Sequence, residues 1–227
     1  MNDAKPVPAA PIAPTASTAA RIAIIDDDAS VRHSTGMLLE TRRWTYTEFE
    51  RAVDFLEHAT PADFNCLLID VRIPEMSGLE LFEELTRRCK KQPRYIPPVL
   101  FLTGHGDIPM AVKSLKLGAC DFLEKPIDHR SLLDSIQRAL DVDTVSRPRF
   151  QAQSRLLHEI ADLTAREREV LSEIIDGYLS KQIAVHLNIS TKTVEAHRLR
   201  ICQKFNTRTT MELAAKLRDV SRSLWEN

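Results

Sequence analysis

The feature that most constrains this fold is an alternation of short apolar runs with amphipathic segments between Arg21 and about Leu140. Continuous apolar runs of this kind are typical of strands buried on both faces, and the intervening segments repeat their apolar residues at helical spacing. Strands are predicted at 22–25, 45–49, 66–69, 98–102 and 121–123, and helices at 31–39, 52–58, 78–88, 108–117 and 131–140. We therefore predict a doubly wound α/β domain with five parallel strands.

The remainder of the chain carries no strand pattern. Residues 1–20 are rich in Pro, Ala, Ser and Thr, which predicts a disordered tail. Residues 141–160 are polar and contain Pro148, so they are interpreted as a linker that turns helical towards its end. Helical segments follow near 165–176, 181–187, 191–205 and 211–220. The predicted organisation is thus a tail (1–20), an α/β domain (21–140), a linker (141–160) and a small all-α four-helix domain (161–227).

Composition excludes several classes of protein. The 227 residues contain 31 basic and 32 acidic side chains, and no apolar run approaches the roughly 20 residues that span a bilayer. The four cysteines lie far apart without a CxxC pair, which argues against a zinc site or a disulfide framework. The first residues lack the basic and apolar regions of a secretory signal. These features predict a cytoplasmic protein with reduced thiols and no membrane association.

Acidic and polar side chains follow the predicted strands at the point where each strand ends. Asp26 to Asp28 follow the first strand, Asp70 ends the third, Thr103 follows the fourth and Lys125 follows the fifth. Ligands of doubly wound sheets bind at this carboxyl edge. Carboxylates that converge there repel one another unless they share a cation, and an oxygen-only ligand set suits Mg²⁺. The pattern therefore predicts a magnesium site at this edge.

Each of these residues also has an ordinary structural interpretation. Asp28 alone is more typical of the N-cap of the helix that begins near Ser30. Thr103 alone would be a turn residue, and Lys125 before a proline would be a solvated lysine. Their joint occurrence at one edge, in the right order, favours the functional interpretation.

The motifs IIDDD, LLIDVRIPEMSG and LFLTGHGDIPMAVKSLKLGACDFLEKP resemble the receiver domain of bacterial response regulators, over residues 20–140. The resemblance implies that a sensor histidine kinase transfers a phosphoryl group to Asp70. The implied Mg²⁺ ligands are Asp26 (through water), Asp27, Asp70 and the backbone carbonyl of Arg72. By the same resemblance, Thr103 and Lys125 would bind the phosphoryl oxygens and Phe122 would be the switch aromatic. The Lys125–Pro126 bond would be cis. Self-phosphorylation and self-dephosphorylation at Asp70 would be its only catalysis.

The predicted helical domain carries a concentrated positive charge. Thr164 and Glu167 have the spacing of a capping box, and Gly177 is placed to end the helix that they begin. From Tyr178 to Thr210 there are six basic side chains against a single glutamate, in a chain whose net charge is −1. A basic helix after a tight turn is typical of DNA binding. The alternatives are a solvated basic face and a helix-turn-helix with a purely structural role.

The segment LTAREREVLSEIIDGYLSKQIAVHLNISTKTVEAHRLRICQKF resembles the LuxR-type (NarL/FixJ) DNA-binding domain, over about 160–225. The resemblance implies that the helix from about Thr191 lies in the major groove. By position, Glu195, Ala196 and Leu199 would face base edges, and Lys192, Thr193, His197, Arg200 and Lys204 would meet phosphates. His197 has the alternative of a packed histidine. Val194, Ile201 and Phe205 are predicted to form the buried face of this helix.

A receiver joined to such a domain indicates a two-component transcription factor. The expected sequence of events is phosphorylation by a sensor histidine kinase, homodimerisation, binding of double-stranded promoter DNA and contact with RNA polymerase. Activation is usual for this architecture, and the FixJ-like motifs suggest nitrogen-fixation or nodulation genes. One alternative is a DNA-binding regulator whose receiver is vestigial. Another is an aspartate-nucleophile phosphatase of the haloacid-dehalogenase kind, which would want a second aspartate where Arg72 stands.

Overall fold

The computed structural model describes residues 19–104 and 118–217, in two compact units divided between Thr144 and Val145. The first unit contains a sheet whose strands are all parallel, in the order β2-β1-β3-β4-β5. The strands are β1 (Arg21–Ile25), β2 (Thr45–Phe49), β3 (Cys66–Asp70), β4 (Val99–Thr103) and β5 (Asp121–Glu124). The prediction of five parallel strands is confirmed, and β1, β3 and β4 occupy the centre.

The described helices of the first unit flank this sheet. They are α1 (Ala29–Glu40), α2 (Ala52–His58), α3 (Gly78–Lys91) and the first part of α4 (His129–Ala161), with a 3₁₀ turn at Pro61–Asp63. Asp28 is the N-cap of α1, as predicted, because its carboxylate accepts hydrogen bonds from the amides of Ser30 and Val31. Ser77 begins α3 in a capping box with Glu80. The predicted tail and the predicted helix at 108–117 lie outside the described residues.

Both faces of the sheet are covered, as continuous apolar strands require. Alternate residues of the central strands enter different clusters because successive side chains of a strand point to opposite faces. One cluster includes Ala23, Ile25, Leu67, Ile69 and Phe101. The other includes Ile22, Ile24, Leu68, Leu100 and Leu102. This double burial fixes the strand ends in position, and with them the side chains that follow each strand.

The last helix of the first unit is longer than predicted. The helix expected at 131–140 runs from His129 to Ala161, through the predicted linker and with Pro148 inside it. A polar residue explains part of the extension: Asp143 is buried, and its carboxylate accepts hydrogen bonds from the Tyr95 hydroxyl (2.7 Å) and the Asn65 amide (2.9 Å). Long as α4 is, neither it nor any other described helix has the run of apolar residues that a bilayer span requires.

The second unit is all helical in its described part. It contains α5 (Ala165–Ile175), α6 (Ser180–His186), α7 (Thr191–Lys204) and α8 (Thr210–Leu217). The predicted capping box of Thr164 and Glu167 is present, and Gly177 has a φ of +85° after α5. The predicted buried face of α7 is also confirmed, since Val194, Ile201 and Phe205 are fully buried. The small all-α domain that the sequence predicts is therefore present.

Candidate phosphorylation site and nucleic-acid interface

Three aspartates converge at the carboxyl edge of the sheet. β1 and β3 are neighbours in the sheet, so the residues that end them are brought together although they are far apart in sequence. One carboxylate oxygen from each of Asp26, Asp27 and Asp70 lies within 4.8 Å of the others. Asp26 and Asp70 are buried and Asp27 is exposed. The edge is thus an acidic pocket that is open to solvent on the Asp27 side.

Lys125 places its ammonium group between two of these carboxylates. Its Nζ atom lies 2.6 Å from Oδ2 of Asp26 and 2.9 Å from Oδ1 of Asp70. Burial raises the pKa of Asp26 by more than the hydrogen bonds from Lys125 and from the Asp28 amide lower it. Burial alone would lower the pKa of Lys125, but its bonds to the two carboxylates outweigh burial and raise it. Lys125 therefore remains an ammonium and partly offsets the negative charge of the pocket.

The backbone around Asp70 is held tightly. The Arg72 amide donates to Oδ2 of Asp70 at 2.9 Å, and the Val71 amide donates to the Leu102 carbonyl at 2.8 Å. At the start of α3, the Gly78 amide donates to the Val71 carbonyl at 3.1 Å. These bonds leave Oδ1 of Asp70 facing Lys125 and the acidic pocket.

The other predicted receiver residues lie at the same edge. Thr103 is buried at the end of β4, and its carbonyl accepts a 2.6 Å hydrogen bond from the Lys125 amide. Phe122 is half-buried on β5, where it pairs in register with Phe101 and packs against the core. The Lys125–Pro126 peptide bond is cis. The fold thus brings together the predicted carboxylates, hydroxyl and ammonium.

The donor set of the pocket fits a hard divalent cation. Three carboxylates and one ammonium leave a formal excess of two negative charges. Mg²⁺ prefers oxygen ligands and is bound through a small number of carboxylates, with water completing its shell. The exposure of Asp27 leaves room for such water. Asp26, Asp27 and Asp70 are therefore suited to hold Mg²⁺. The backbone carbonyl of Arg72 is the further ligand that the family resemblance implies.

One residue beside the pocket had no role in the sequence analysis. Arg32, on α1, donates from Nη1 to the backbone carbonyl of Asp26 at 2.7 Å. Its Nε atom lies 3.4 Å from the Glu48 carboxylate, and its side chain is 11% exposed. Arg32 precedes the buried Thr35 and Gly36 by three and four positions, so helical spacing places it on the inner face of α1. The spacing could not show that its side chain would reach back to the end of β1.

The predicted DNA-reading helix exposes most of the side chains assigned to it. Lys192, Thr193, Glu195, Ala196, Leu199 and Arg200 are exposed on α7. Leu199 is 62% exposed, so its side chain is accessible to a base edge. His197 is half-buried, and its Nδ1 atom is buried without a hydrogen-bond partner among the described residues. At least one side of the His197 ring is therefore packed against the protein, as in the alternative interpretation.

Lys204 differs from its sequence-based assignment as a phosphate contact. Its Nζ atom lies 2.7 Å from Oε2 of Glu167 and 3.0 Å from the Asp162 carbonyl. Glu167 is buried, so this ammonium neutralises a carboxylate of the domain's own interior. The helix wheel placed Lys204 on the basic side of α7 but could not show that Glu167 lies opposite it. The ion pair with Glu167 favours a structural role for Lys204, and its phosphate contact stays a prediction.

The Glu167 carboxylate makes the second unit sensitive to acid. Burial would raise its pKa, but the bonds from Lys204 and Thr164 outweigh burial and lower it from 4.5 to about 2. A depressed folded-state pKa gives stability that is present above pH 4.5 and is lost as the pH falls towards 2. A shift of the pKa from 4.5 to about 2 corresponds to roughly 3 kcal/mol.

We expect Glu167→Gln to lower the stability of the full-length protein near pH 7 and to cost progressively less below about pH 4. Calorimetric unfolding of both proteins across this range measures the difference, in which the other carboxylates cancel. If the difference in free energy of unfolding between the two proteins does not change with pH, the charge of Glu167 does not contribute to stability.

The fold and the acidic pocket define a class: a receiver domain followed by a basic helical domain of the helix-turn-helix kind. Comparison with known proteins supports this at both ends of the chain. Residues 22–137 match the response regulator receiver domain, and residues 161–217 match the luxR family of bacterial regulatory proteins. The chain belongs to the response regulators that combine these two domains, and it is a two-component transcriptional regulator.

Relatives with the same two domains match most of the chain. The transcriptional regulatory protein FixJ of Azorhizobium caulinodans is 39% identical over 190 residues, which is 84% of this chain and 88% of that protein. The C4-dicarboxylate transport transcriptional regulatory protein DctR of Rhodobacter capsulatus is 38% identical over 84% of this chain and 95% of its own length. Among solved structures, response regulator StyR is 38% identical with a TM-score of 0.71, covering 88% of this chain and 99% of that one.

Proposed function

We propose that this response regulator is switched by phosphorylation of Asp70 and then binds promoter DNA as a homodimer. The observation that carries the proposal is the position of Lys125, whose ammonium joins Asp26 to Asp70 beside the exposed carboxylate of Asp27. A carboxylate that attacks a phosphoryl group needs positive charge around the oxygens of that group. The pocket supplies one fixed cation and a ligand set for a second.

The proposed chemistry is transfer of a phosphoryl group from a histidine of the sensor kinase. A carboxylate oxygen of Asp70 forms a bond to phosphorus while the bond from phosphorus to the histidine nitrogen breaks, and an acyl phosphate results. Mg²⁺, when bound, would neutralise charge on the phosphoryl oxygens. Lys125 binds one of these oxygens, and the Arg72 amide keeps the carboxylate oriented. Self-dephosphorylation is the attack of water on the same phosphorus, which releases inorganic phosphate.

The phosphoryl group would act on the rest of the receiver through Thr103 and Phe122. It adds close to two negative charges and strong acceptor oxygens, to which the Thr103 hydroxyl donates. Thr103 ends β4, which pairs with β5, the strand of Phe122, so a movement of Thr103 changes the space beside that ring. We propose that this movement reshapes the face of the receiver that includes residues 131–140, through which two receivers dimerise.

The dimer would present two α7 helices to DNA. Half-sites one helical turn apart match the two-fold symmetry of such a dimer. Glu195, Ala196 and Leu199 would contact base edges; Lys192, Thr193, Arg200 and one ring nitrogen of His197 would contact phosphates, which fix register without specifying sequence. Contact with RNA polymerase and activation of transcription complete the proposal, with the cytoplasm as its compartment.

We keep nitrogen-fixation or nodulation genes as the proposed targets, because of the FixJ-like motifs and the FixJ relative at 39% identity. The DctR relative, named for C4-dicarboxylate transport, is nearly as similar at 38% identity. Genome-wide footprinting with and without a phosphodonor tests the choice. Enrichment at transport promoters alone would replace the nitrogen-fixation assignment.

The central test is incubation of the full-length protein with Mg²⁺ and acetyl phosphate. We expect the wild-type chain to gain one phosphoryl group, lost on treatment with hydroxylamine, and to bind promoter DNA more tightly. Asp70→Asn should gain none, and its DNA binding should not respond to the donor. Mass spectrometry and gel-shift titration measure the two effects.

Asp63→Asn is the matched control, since Asp63 is an exposed carboxylate in the loop before β3. It should be phosphorylated like the wild type. The vestigial-receiver alternative expects no phosphoryl group on any of these proteins and the same DNA affinity for all. That result would overturn the proposed function.

A further inference from the structure

We propose that Arg32 is the positioning residue for Asp27, the exposed carboxylate of the magnesium site. The inference rests on the proposed function and adds to it a residue that has no direct contact with the cation or the phosphoryl group. Asp27 is the only one of the three pocket carboxylates that is exposed. It is therefore the ligand whose direction the protein interior does not fix.

The backbone, rather than a side-chain partner, holds Asp27 in place. Within the described part of the chain its carboxylate accepts no hydrogen bond, whereas Asp26 accepts from Lys125 and from the Asp28 amide. The Asp26 amide donates to the Phe49 carbonyl at 3.2 Å. The carboxylate of Asp27 thus points where the peptide that joins it to Asp26 directs it.

Arg32 holds the peptide that joins Asp26 to Asp27. Nη1 of Arg32 donates a 2.7 Å hydrogen bond to the backbone carbonyl of Asp26, and the oxygen of that carbonyl belongs to this peptide. Rotation of this peptide would turn the Asp27 side chain away from Asp26 and Asp70. Because the guanidinium is planar and only 11% exposed, it holds the carbonyl in one direction.

Glu48 makes the guanidinium compatible with a cation site. A positive charge beside the pocket would by itself repel Mg²⁺. The Glu48 carboxylate, 3.4 Å from Nε of Arg32 on the neighbouring strand β2, offsets that charge and orients the side chain. Removal of the Arg32 charge would strengthen Mg²⁺ binding, whereas loss of its hydrogen bond to the Asp26 carbonyl would weaken it. The direction of the change in affinity therefore distinguishes the two effects.

The experiment is calorimetric titration of the unphosphorylated full-length protein with Mg²⁺ alone. If Arg32 positions Asp27, Arg32→Met should weaken Mg²⁺ binding about tenfold, the lower end of the losses caused by removing groups that orient metal ligands. If its charge alone mattered, loss of a nearby cation would tighten binding. The sign of the change distinguishes the two.

Three further proteins complete the test. Arg32→Lys keeps the charge and one donor, so it should recover part of the affinity. Glu48→Gln keeps the bond to the Asp26 carbonyl but leaves the guanidinium charge without its carboxylate, so it should weaken Mg²⁺ binding by no more than about threefold. Arg42→Met removes an exposed arginine just beyond α1 and should change nothing. Thermal unfolding without metal checks that each variant is folded, and Arg32→Gln replaces Arg32→Met if that variant does not fold.

The outcomes separate this inference from the proposed function. Unchanged or tighter Mg²⁺ binding by Arg32→Met, with a wild type that binds Mg²⁺ and is phosphorylated on Asp70, overturns the role of Arg32 alone. A wild-type protein that binds no Mg²⁺ and accepts no phosphoryl group overturns the proposed function itself.

Discussion

Replacing Gly78 with alanine is expected to abolish phosphorylation of Asp70 and to destabilise the first unit by about 2–3 kcal/mol. A Cβ atom at Gly78 would lie 2.1 Å from the backbone carbonyl oxygen of Asp70 and 2.7 Å from Cγ2 of Ile69. The carbonyl cannot retreat, because Asp70 ends a central strand that is paired with β4. The start of α3 must move instead, and the bond from the Gly78 amide to the Val71 carbonyl is lost.

Gly104 provides the matched control for this substitution. It follows Thr103 at the same edge of the sheet, but a Cβ atom there would meet no described atom within 4 Å. The free energy of unfolding of Gly104→Ala should therefore lie within about 0.5 kcal/mol of the wild-type value, and the variant should accept a phosphoryl group normally. Denaturant unfolding and labelling with acetyl phosphate measure both variants. A Gly78→Ala protein with wild-type stability and labelling would contradict the geometry of the α3 start.

Replacing Lys204 with methionine is expected to destabilise the second unit by about 2 kcal/mol, because Glu167 would be left as a buried carboxylate without its cation. The figure is below that of a fully buried pair, since the Lys204 side chain is 37% exposed. If Lys204 is structural, the folded variant should bind DNA with an unchanged dependence on salt. Fluorescence anisotropy with a DNA duplex over a range of salt concentrations measures this dependence.

Lys192→Met is the counterpart on the same helix. Lys192 is exposed near the start of α7 and has no assigned partner in the domain interior. Its replacement should leave the free energy of unfolding unchanged. It should reduce by about one the slope of the logarithm of the DNA-binding constant against the logarithm of the salt concentration, for every DNA sequence alike. Equal reductions in slope for the two lysines would restore Lys204 to the phosphate contacts. Loss of stability in Lys192→Met would argue against its exposure.

The sequence predicted those parts of the molecule that depend on local patterns. Continuous apolar runs identified the strands, and the residues that follow Ile25, Ile69 and Leu102 identified the acidic edge. Parallel strands place their carboxyl ends at one edge of the sheet, which the sequence predicted. The pairing of β1 with β3, which brings Asp26 to Asp70, comes from the strand order in the structure. The capping residues Asp28 and Thr164 were identified for the same reason, since a cap acts within one turn of its own helix.

The missed features all depend on contacts between distant residues. Arg32 was unassigned because its partners are a backbone carbonyl and a glutamate on another strand. Lys204 was assigned to DNA because a basic helix face does not show which of its cations meets a buried carboxylate. The helix after β5 was predicted to end near Leu140 because polar residues follow, yet it continues to Ala161, and Asp143 is buried through its bonds to the side chains of Asn65 and Tyr95. Each of these features depends on a polar group whose partner lies elsewhere in the fold.

The bond between Lys125 and Asp26 joins residues 99 positions apart, across the breadth of the sheet. During synthesis, a ribosome-bound chain that has released β1 to β4 but not β5 carries the aspartates without the ammonium that organises them. Such a nascent chain has no complete phosphoacceptor. The phosphoacceptor is therefore complete only when the last strand, β5, has joined the sheet and placed Lys125 beside Asp26.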